Sequence, residues 1–373
     1  MPKIAYVTNA PPQAGMGKPA REIYQRLKTQ YAADFFYLDA GKRELLKNDQ
    51  KIAEVSNLPK PLQLKPIQWW RLSKKLPTQG YDLWHLTNQT LSFIPRQDFL
   101  LTVYDLIELL DPQEKLGKYV AQYLYKGIPK AKHIICISEY TKKMLQQTYH
   151  VVDKKISIIP LGVGENFKPL ENVRGSVGYH EFLQQNRLPK DAKIVLYVGS
   201  DHPRKNLNLL AEAFVKVKVS VPKAYLVKVG DPGLMAGRIE FQNKLNALKL
   251  SDSVRFVGNI GDEKLRLLYS SADVFVFPSF YEGFGIPPLE AMACGLPVVC
   301  SNATSLPEVV GDAGRLHNPK DADGFAASII KILTDANFAS ELSRKGLERS
   351  NTFSWESIAQ KTAEVYERMM NDE

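Results

Sequence analysis

The chain has 373 residues, 44% hydrophobic and 24% charged, enough for two globular domains each with its own core. No apolar run approaches the roughly 18–20 residues that span a bilayer, and the amino terminus lacks the pattern of a signal peptide. The net charge of +9 is lopsided: residues 1–170 carry 25 Lys and Arg against 15 Asp and Glu, giving +10, and the remainder carries 24 against 25, giving −1. A phosphorylated or membrane-borne partner would use that excess. Cys136, Cys294 and Cys300 lie in apolar runs without metal-ligand spacing and read as small core residues of a reducing compartment.

In chain order, Lys3–Thr8 reads as a first strand. A loop with Gly15-Met-Gly17 follows, then a helix over 19–30 and a strand over 35–38. GMGKPA fits the dinucleotide pattern G-x-G-x-x-A, with Asp39 about 20 residues on, although the glycines begin several residues after the strand. Over 58–77 four prolines interrupt the chain, and Trp69 and Trp70 sit among Lys65, Arg71, Lys74 and Lys75. That mixture suits an anionic membrane surface or an acidic ligand, and equally a helix packing its tryptophans on a sheet.

Segments 81–87 and 99–104 read as strands, which puts His85 and Asp105 near strand ends facing a presumed cleft. Asp105 has the chemistry to take a proton from a bound hydroxyl and His85 is the other candidate. The structural alternatives are a helix cap and a buried histidine. A Lys- and Tyr-rich helix over 115–128, a strand over 133–138, a helix capped by Ser138 and a strand over 156–160 complete this half. Alternation of strand and helix favours a parallel sheet. Residues 164–189 read as a linker.

The second half restarts the pattern with a strand over 194–198, the turn Gly199-Ser-Asp-His-Pro-Arg-Lys-Asn206 and a helix to about residue 219. Arg204 and Lys205 at a helix start form a diphosphate site, the arginine as a fork and the lysine as a point charge. After Ala224–Val229, a helix over 234–248 and Val254–Val257 comes the turn Gly258-Asn259-Ile260, then a helix over Asp262–Ser271. The apolar run ADVFVFP reads as a buried strand that delivers PSFYEGFGIPPLEAMACGLPVVCSN, residues 278–302. There a turn with Gly283 and Gly285 leads into a short helix over 289–294, which carries Leu289 and Glu290, and a strand over 298–300. Glu282 and Glu290 flank N–H groups at Phe284, Gly285 and Ile286, and paired carboxylates there fit the hydroxyls of a sugar beside an anion-binding helix start. A short strand, Arg315–His317, and helices over 322–333, 338–348 and 355–370 follow. No acidic cluster has Mg²⁺ spacing, so no metal is expected, and no cofactor beyond the sugar-bearing ligand itself.

EGFGIPPLEAMACGLPVV resembles the signature of the retaining glycosyltransferases of family 4, and the likeness is strongest over 193–318. The resemblance implies an α/β fold of the GT-B kind: two Rossmann-like, doubly wound parallel-sheet domains facing across a cleft, with the last helix crossing back to the first. The corresponding domains are 1–170 for the acceptor, 171–353 for the nucleotide sugar and 354–373 for the returning helix. It further implies that Glu290 holds the donor ribose and Glu282 the transferred sugar. Phe284, Gly285 and Ile286 would cradle sugar and phosphate, with the base near Gly258, Asn259 and Ile260. Gly15 and Gly17 would face the diphosphate. Family members often carry a histidine where this chain has Tyr104, so no catalytic histidine is carried over.

The resulting expectation is a retaining hexosyltransferase moving a sugar from a nucleotide-diphosphate donor to a glycan or lipid-linked acceptor. It would work in the cytoplasm or on the cytoplasmic membrane face, with no nucleic-acid partner. A glycoside hydrolase would use two carboxylates but not the adjacent Arg-Lys pair. An NAD-dependent oxidoreductase would use GMGKPA but not the second half's motif, and a silent nucleotide-sugar-binding protein would keep the fold without turnover.

Overall fold

The computed structural model describes every residue except 13–14, 60–62, 95, 97, 111–114, 234 and 372–373, and omits the side chains of residues 115 and 116. The chain divides into two compact units, Met1–Gly162 with Trp355–Glu373, and Val163–Ser354. The division falls a few residues before the position 170 read from the sequence.

The first unit holds an eight-stranded sheet. Its strands are β1 (Lys3–Thr8), β2 (Ala32–Asp39), β3 (Glu44–Lys47), β4 (Gln50–Glu54), β5 (Leu83–Leu86), β6 (Phe99–Val103), β7 (His133–Cys136) and β8 (Ile156–Ile158), in the order β4-β3-β2-β1-β5-β6-β7-β8. All pair in parallel except β2–β3 and β3–β4. Ile4, Ala5, Tyr6 and Val7 of the central strand are wholly buried, which is why the parallel strands read as continuous apolar runs rather than alternating ones.

The antiparallel hairpin β3–β4 was not foreseen. Asn48 and Asp49 at its turn have φ of 49° and 69°, the left-handed geometry that Asn and Asp tolerate. The Asn48 side chain accepts from Phe35 N at 2.8 Å and donates to Asp34 at 2.9 Å.

Helix Trp355–Asn371 belongs to this first unit although it closes the chain. Tyr366 donates to the Tyr6 hydroxyl on β1 at 2.8 Å, and Trp355 packs flat on Gly162, where a Cβ would come within 2.6 Å of the indole.

The second unit is a six-stranded, all-parallel sheet of β9 (Lys193–Val198), β10 (Ala224–Val229), β11 (Val254–Val257), β12 (Val274–Phe277), β13 (Val298–Ser301) and β14 (Arg315–His317), ordered β11-β10-β9-β12-β13-β14. The expected linker over 164–189 is instead part of this unit. It contains helix Val177–Gln185, capped by Ser176, with Tyr179 and Leu183 buried. Arg174 ties it down by donating to Ser271 O and pairing with Asp273, both at 2.9 Å. Two buried apolar side chains suffice to seat a nine-residue helix whose polar face reads as loop.

Candidate active site

Sheet order decides which loops meet. Strand order reverses at β9, whose neighbours are β10 and β12. Loops leaving the carboxyl ends of β9 and β12 therefore diverge from adjacent strands and leave a crevice, the usual ligand position in an open parallel sheet. The β9 loop carries Arg204 and Lys205, and the β12 loop carries Glu282.

Neither cation lies in the long helix expected after β9. They occupy a one-turn 3₁₀ segment, Pro203–Lys205, ahead of helix Leu207–Ser220. Asn206 joins the two pieces at φ 60°. Its side-chain amide donates to Pro278 O at 3.0 Å and Pro319 O at 2.7 Å, and Phe280 N donates to Arg204 O at 2.8 Å. The loops are thus stitched together through main-chain groups before any charge is considered.

Lys205 Nζ then lies 2.7 Å from Glu282 Oε1, and Arg204 Nη1 lies 3.4 Å from Glu282 Oε2 and 3.1 Å from Tyr281 O. Lys205 and Glu282 are each 8% exposed. Burial alone would raise the Glu282 carboxyl, but Lys205 and Arg204 outweigh it and hold it below the ordinary carboxylate range. Thr304 Oγ1 accepts from Glu282 N at 3.0 Å, and Ser305 Oγ donates to the carbonyls of Glu282 and Phe284 at 2.9 and 2.8 Å. These two hydroxyls hold the turn from behind and carried no signal in the sequence.

The helix after the turn begins at Ile286, earlier than expected, because Pro287 and Pro288 fill its first turn. Gly285 caps it at φ 121°, where a Cβ would strike Leu306 at 2.7 Å. Leu289 is wholly buried and anchors the helix, while Glu290 is half-buried and accepts from the Tyr269 hydroxyl at 3.1 Å. Gly258, Asn259 and Ile260 lie beyond β11, the first two exposed and the third half-exposed. A buried ion cluster backs the β9 loop: Asp201 pairs with Lys228 of β10 and with Arg238. Burial pushes the Lys228 ammonium below its ordinary value against the pull of Asp201. A lysine inside the run AYLVKV was the signal that went unread.

In the first unit the predicted residues behave differently. His85 is core, 1% exposed, with Nδ1 hydrogen-bonded to the Tyr366 hydroxyl and Nε2 to Thr102 Oγ1, both at 2.8 Å. Burial drives its pKa down to about 3, so the expectation that it faces a cleft is corrected. Asp105 Oδ1 accepts from Ile107 N at 3.1 Å, the capping geometry. Gly15 supplies a left-handed turn at φ 53°. Gly17 is buried against its own loop, where a Cβ would sit 2.1 Å from Pro11 O. Close packing against Pro11 is thus a structural reason for glycine at this position, whatever the loop faces. Tyr104 donates to Met16 O at 3.1 Å.

Residues 179–349 match the family model described as "Glycosyl transferases group 1" and residues 14–166 that described as "Glycosyltransferase Family 4". The chain is 32% identical over 372 residues to O-antigen chain mannosyltransferase B of Escherichia coli, across 93% of this chain and 91% of that protein. Sucrose-phosphate synthase from Thermosynechococcus elongatus has a similar structure, with a TM-score of 0.79 and 26% identity over 100% of both chains. HepE from Anabaena, solved with UDP-glucose, gives a TM-score of 0.77 at 19% identity over 98% of this chain and 99% of that one, a likeness of fold.

Proposed function

The chain belongs to the glycosyl transferases group 1 family, and on that premise we propose that it moves a mannosyl residue from a nucleoside diphosphate donor to a hydroxyl of a growing glycan. It does so with retention of anomeric configuration and without a bound metal. The mannosyl assignment is supported by the mannosyltransferase relative that spans nearly the whole chain. The observation that carries the reading is the convergence of Arg204 and Lys205 on Glu282 at the β9–β12 crevice.

Cleavage of the sugar–phosphate bond leaves negative charge on the diphosphate. Arg204 and Lys205 supply fixed positive charge for it, the role a metal would otherwise fill. The amino terminus of helix Ile286–Ala293 adds main-chain N–H groups with no side-chain cap among the described residues. Glu282 accepts from sugar hydroxyls while orienting Lys205, and Glu290 accepts from the ribose. Two cations share the Glu282 carboxylate and temper it as a nucleophile, which favours attack by the acceptor on the face the diphosphate leaves. Three buried thiols suit a reducing compartment and support a cytoplasmic site.

The test is product analysis by NMR after incubation with nucleoside diphosphate mannose, an oligosaccharide acceptor and excess chelator. Product with the donor's anomeric configuration is expected. An inverted product, or turnover that stops with chelator and returns with Mg²⁺, would overturn the mechanistic part.

A further inference from the structure

We propose that the groove between helices Lys65–Ser73 and Lys115–Tyr125 docks the first unit on an anionic bilayer by taking up part of an acyl chain. Each helix buries one face in the core: Leu72 of the first is wholly covered, as are nearly all of Ala121, Leu124 and Tyr125 of the second. The opposite faces enclose an open groove of about 470 Å³ lined by Leu64, Pro66, Ile67, Trp70, Tyr119, Val120 and Tyr123. Apolar side chains make up nearly all of it and stay exposed: Tyr119 68%, Leu64 55%, Tyr123 46% and Trp70 41%. A grouped apolar patch of this kind marks a binding surface rather than scattered surface residues.

Charge selects the occupant. Residues 58–77 and 115–130 together hold nine Lys and Arg and no Asp or Glu. Lys74 Nζ sits 3.6 Å over the Trp70 ring and Lys126 Nζ 4.1 Å over the Tyr123 ring. Rings reaching the acyl boundary with ammonium groups beside them in the phosphate layer are the composition of an interfacial anchor. A second copy of the same face would set cations against cations, and a neutral apolar ligand would leave them unused. An anionic lipid surface answers both the groove and its rim. No helix among the described residues is long and apolar enough to cross a membrane, so attachment here is to one face.

The inference stands independently of the transferase reading, and its test reads binding rather than turnover. The full chain is sedimented with vesicles of equimolar phosphatidylglycerol and phosphatidylcholine, and with phosphatidylcholine alone. Binding to the anionic vesicles only, weakened by salt, is expected, with tryptophan emission quenched by brominated acyl chains. Trp70→Phe should remove most of that quenching. Tyr119→Ser with Tyr123→Ser should cut binding at least about tenfold, and Lys74→Glu roughly fivefold or more. All three variants should keep wild-type release of nucleoside diphosphate from the donor without vesicles. Equal binding to both vesicle types, binding indifferent to these substitutions, or loss of a dimer in light scattering on Tyr119→Ser would overturn the proposal. So would uptake of a polyprenyl phosphate from detergent without vesicle binding, which would make the groove an acceptor-tail site.

Discussion

Lys205 Nζ and Glu282 Oε1 lie 2.7 Å apart across 77 positions of chain, both nearly sealed from water. Such a pair loses more when one partner is removed than when both are, because the survivor is left charged and buried. Lys205→Met should therefore cost about 3–5 kcal/mol in urea unfolding, and the double variant with Glu282→Gln should recover part of it. Kinetics should not follow stability: donor turnover in the double variant stays lost, because it depends on the charge that both changes remove. A double variant with restored turnover would contradict a catalytic role for the pair.

The Tyr269 hydroxyl donates to Glu290 Oε2 at 3.1 Å, which makes it a positioning residue for the carboxylate proposed to hold the donor ribose. Tyr269→Phe should raise the donor KM several-fold and leave kcat near wild type, since the hydroxyl acts on binding common to ground and transition states. Glu290→Ala should raise KM much further. Equal loss of kcat in both variants would contradict this division of labour.

Asp201, Lys228 and Arg238 form a cluster in which the Asp201 and Lys228 side chains are wholly buried. Lys228→Met leaves Asp201 one cation short and should destabilise by about 3–5 kcal/mol. Asp201→Leu with Lys228→Met should be milder than Lys228→Met alone. Because Asp201 sits three residues before Arg204, the double variant should fold yet show a raised donor KM. A double variant with wild-type KM would confine the cluster to stability.

His85 sets a sign for the acid response. Its folded pKa is about 3 against about 6.5 unfolded, so the folded state excludes a proton that the unfolded state takes up. Its contribution is intact above pH about 6.5 and declines as pH falls towards about 3, by up to about 1.4 kcal/mol per unit. Urea midpoints of wild type should therefore fall more steeply with acidification than those of His85→Gln. Parallel slopes would contradict it.

Legibility in the sequence followed the length scale of the signal. Buried strands such as Lys193–Val198 and Val274–Phe277 declared themselves as apolar runs, and the charged residues singled out beside their ends, Arg204, Lys205 and Glu282, come together in the fold. The β3–β4 hairpin stayed hidden because its strands are four and five residues long and half exposed, although Asn48-Asp49 was a usable turn signal. His85 misled because a buried polar residue at a strand end looks the same in sequence whether it faces a crevice or a tyrosine 281 positions away. Tyr269, Thr304 and Ser305 act through hydrogen bonds to residues about twenty positions off, and no local pattern encodes those.

The most direct test is acceptor-dependent release of nucleoside diphosphate from a panel of nucleotide sugars, wild type against Arg204→Ala. Release from at least one donor, falling by at least about 10²-fold in the variant, is the predicted result. Release from none, or release undiminished by the loss of Arg204, would contradict the assignment of this crevice.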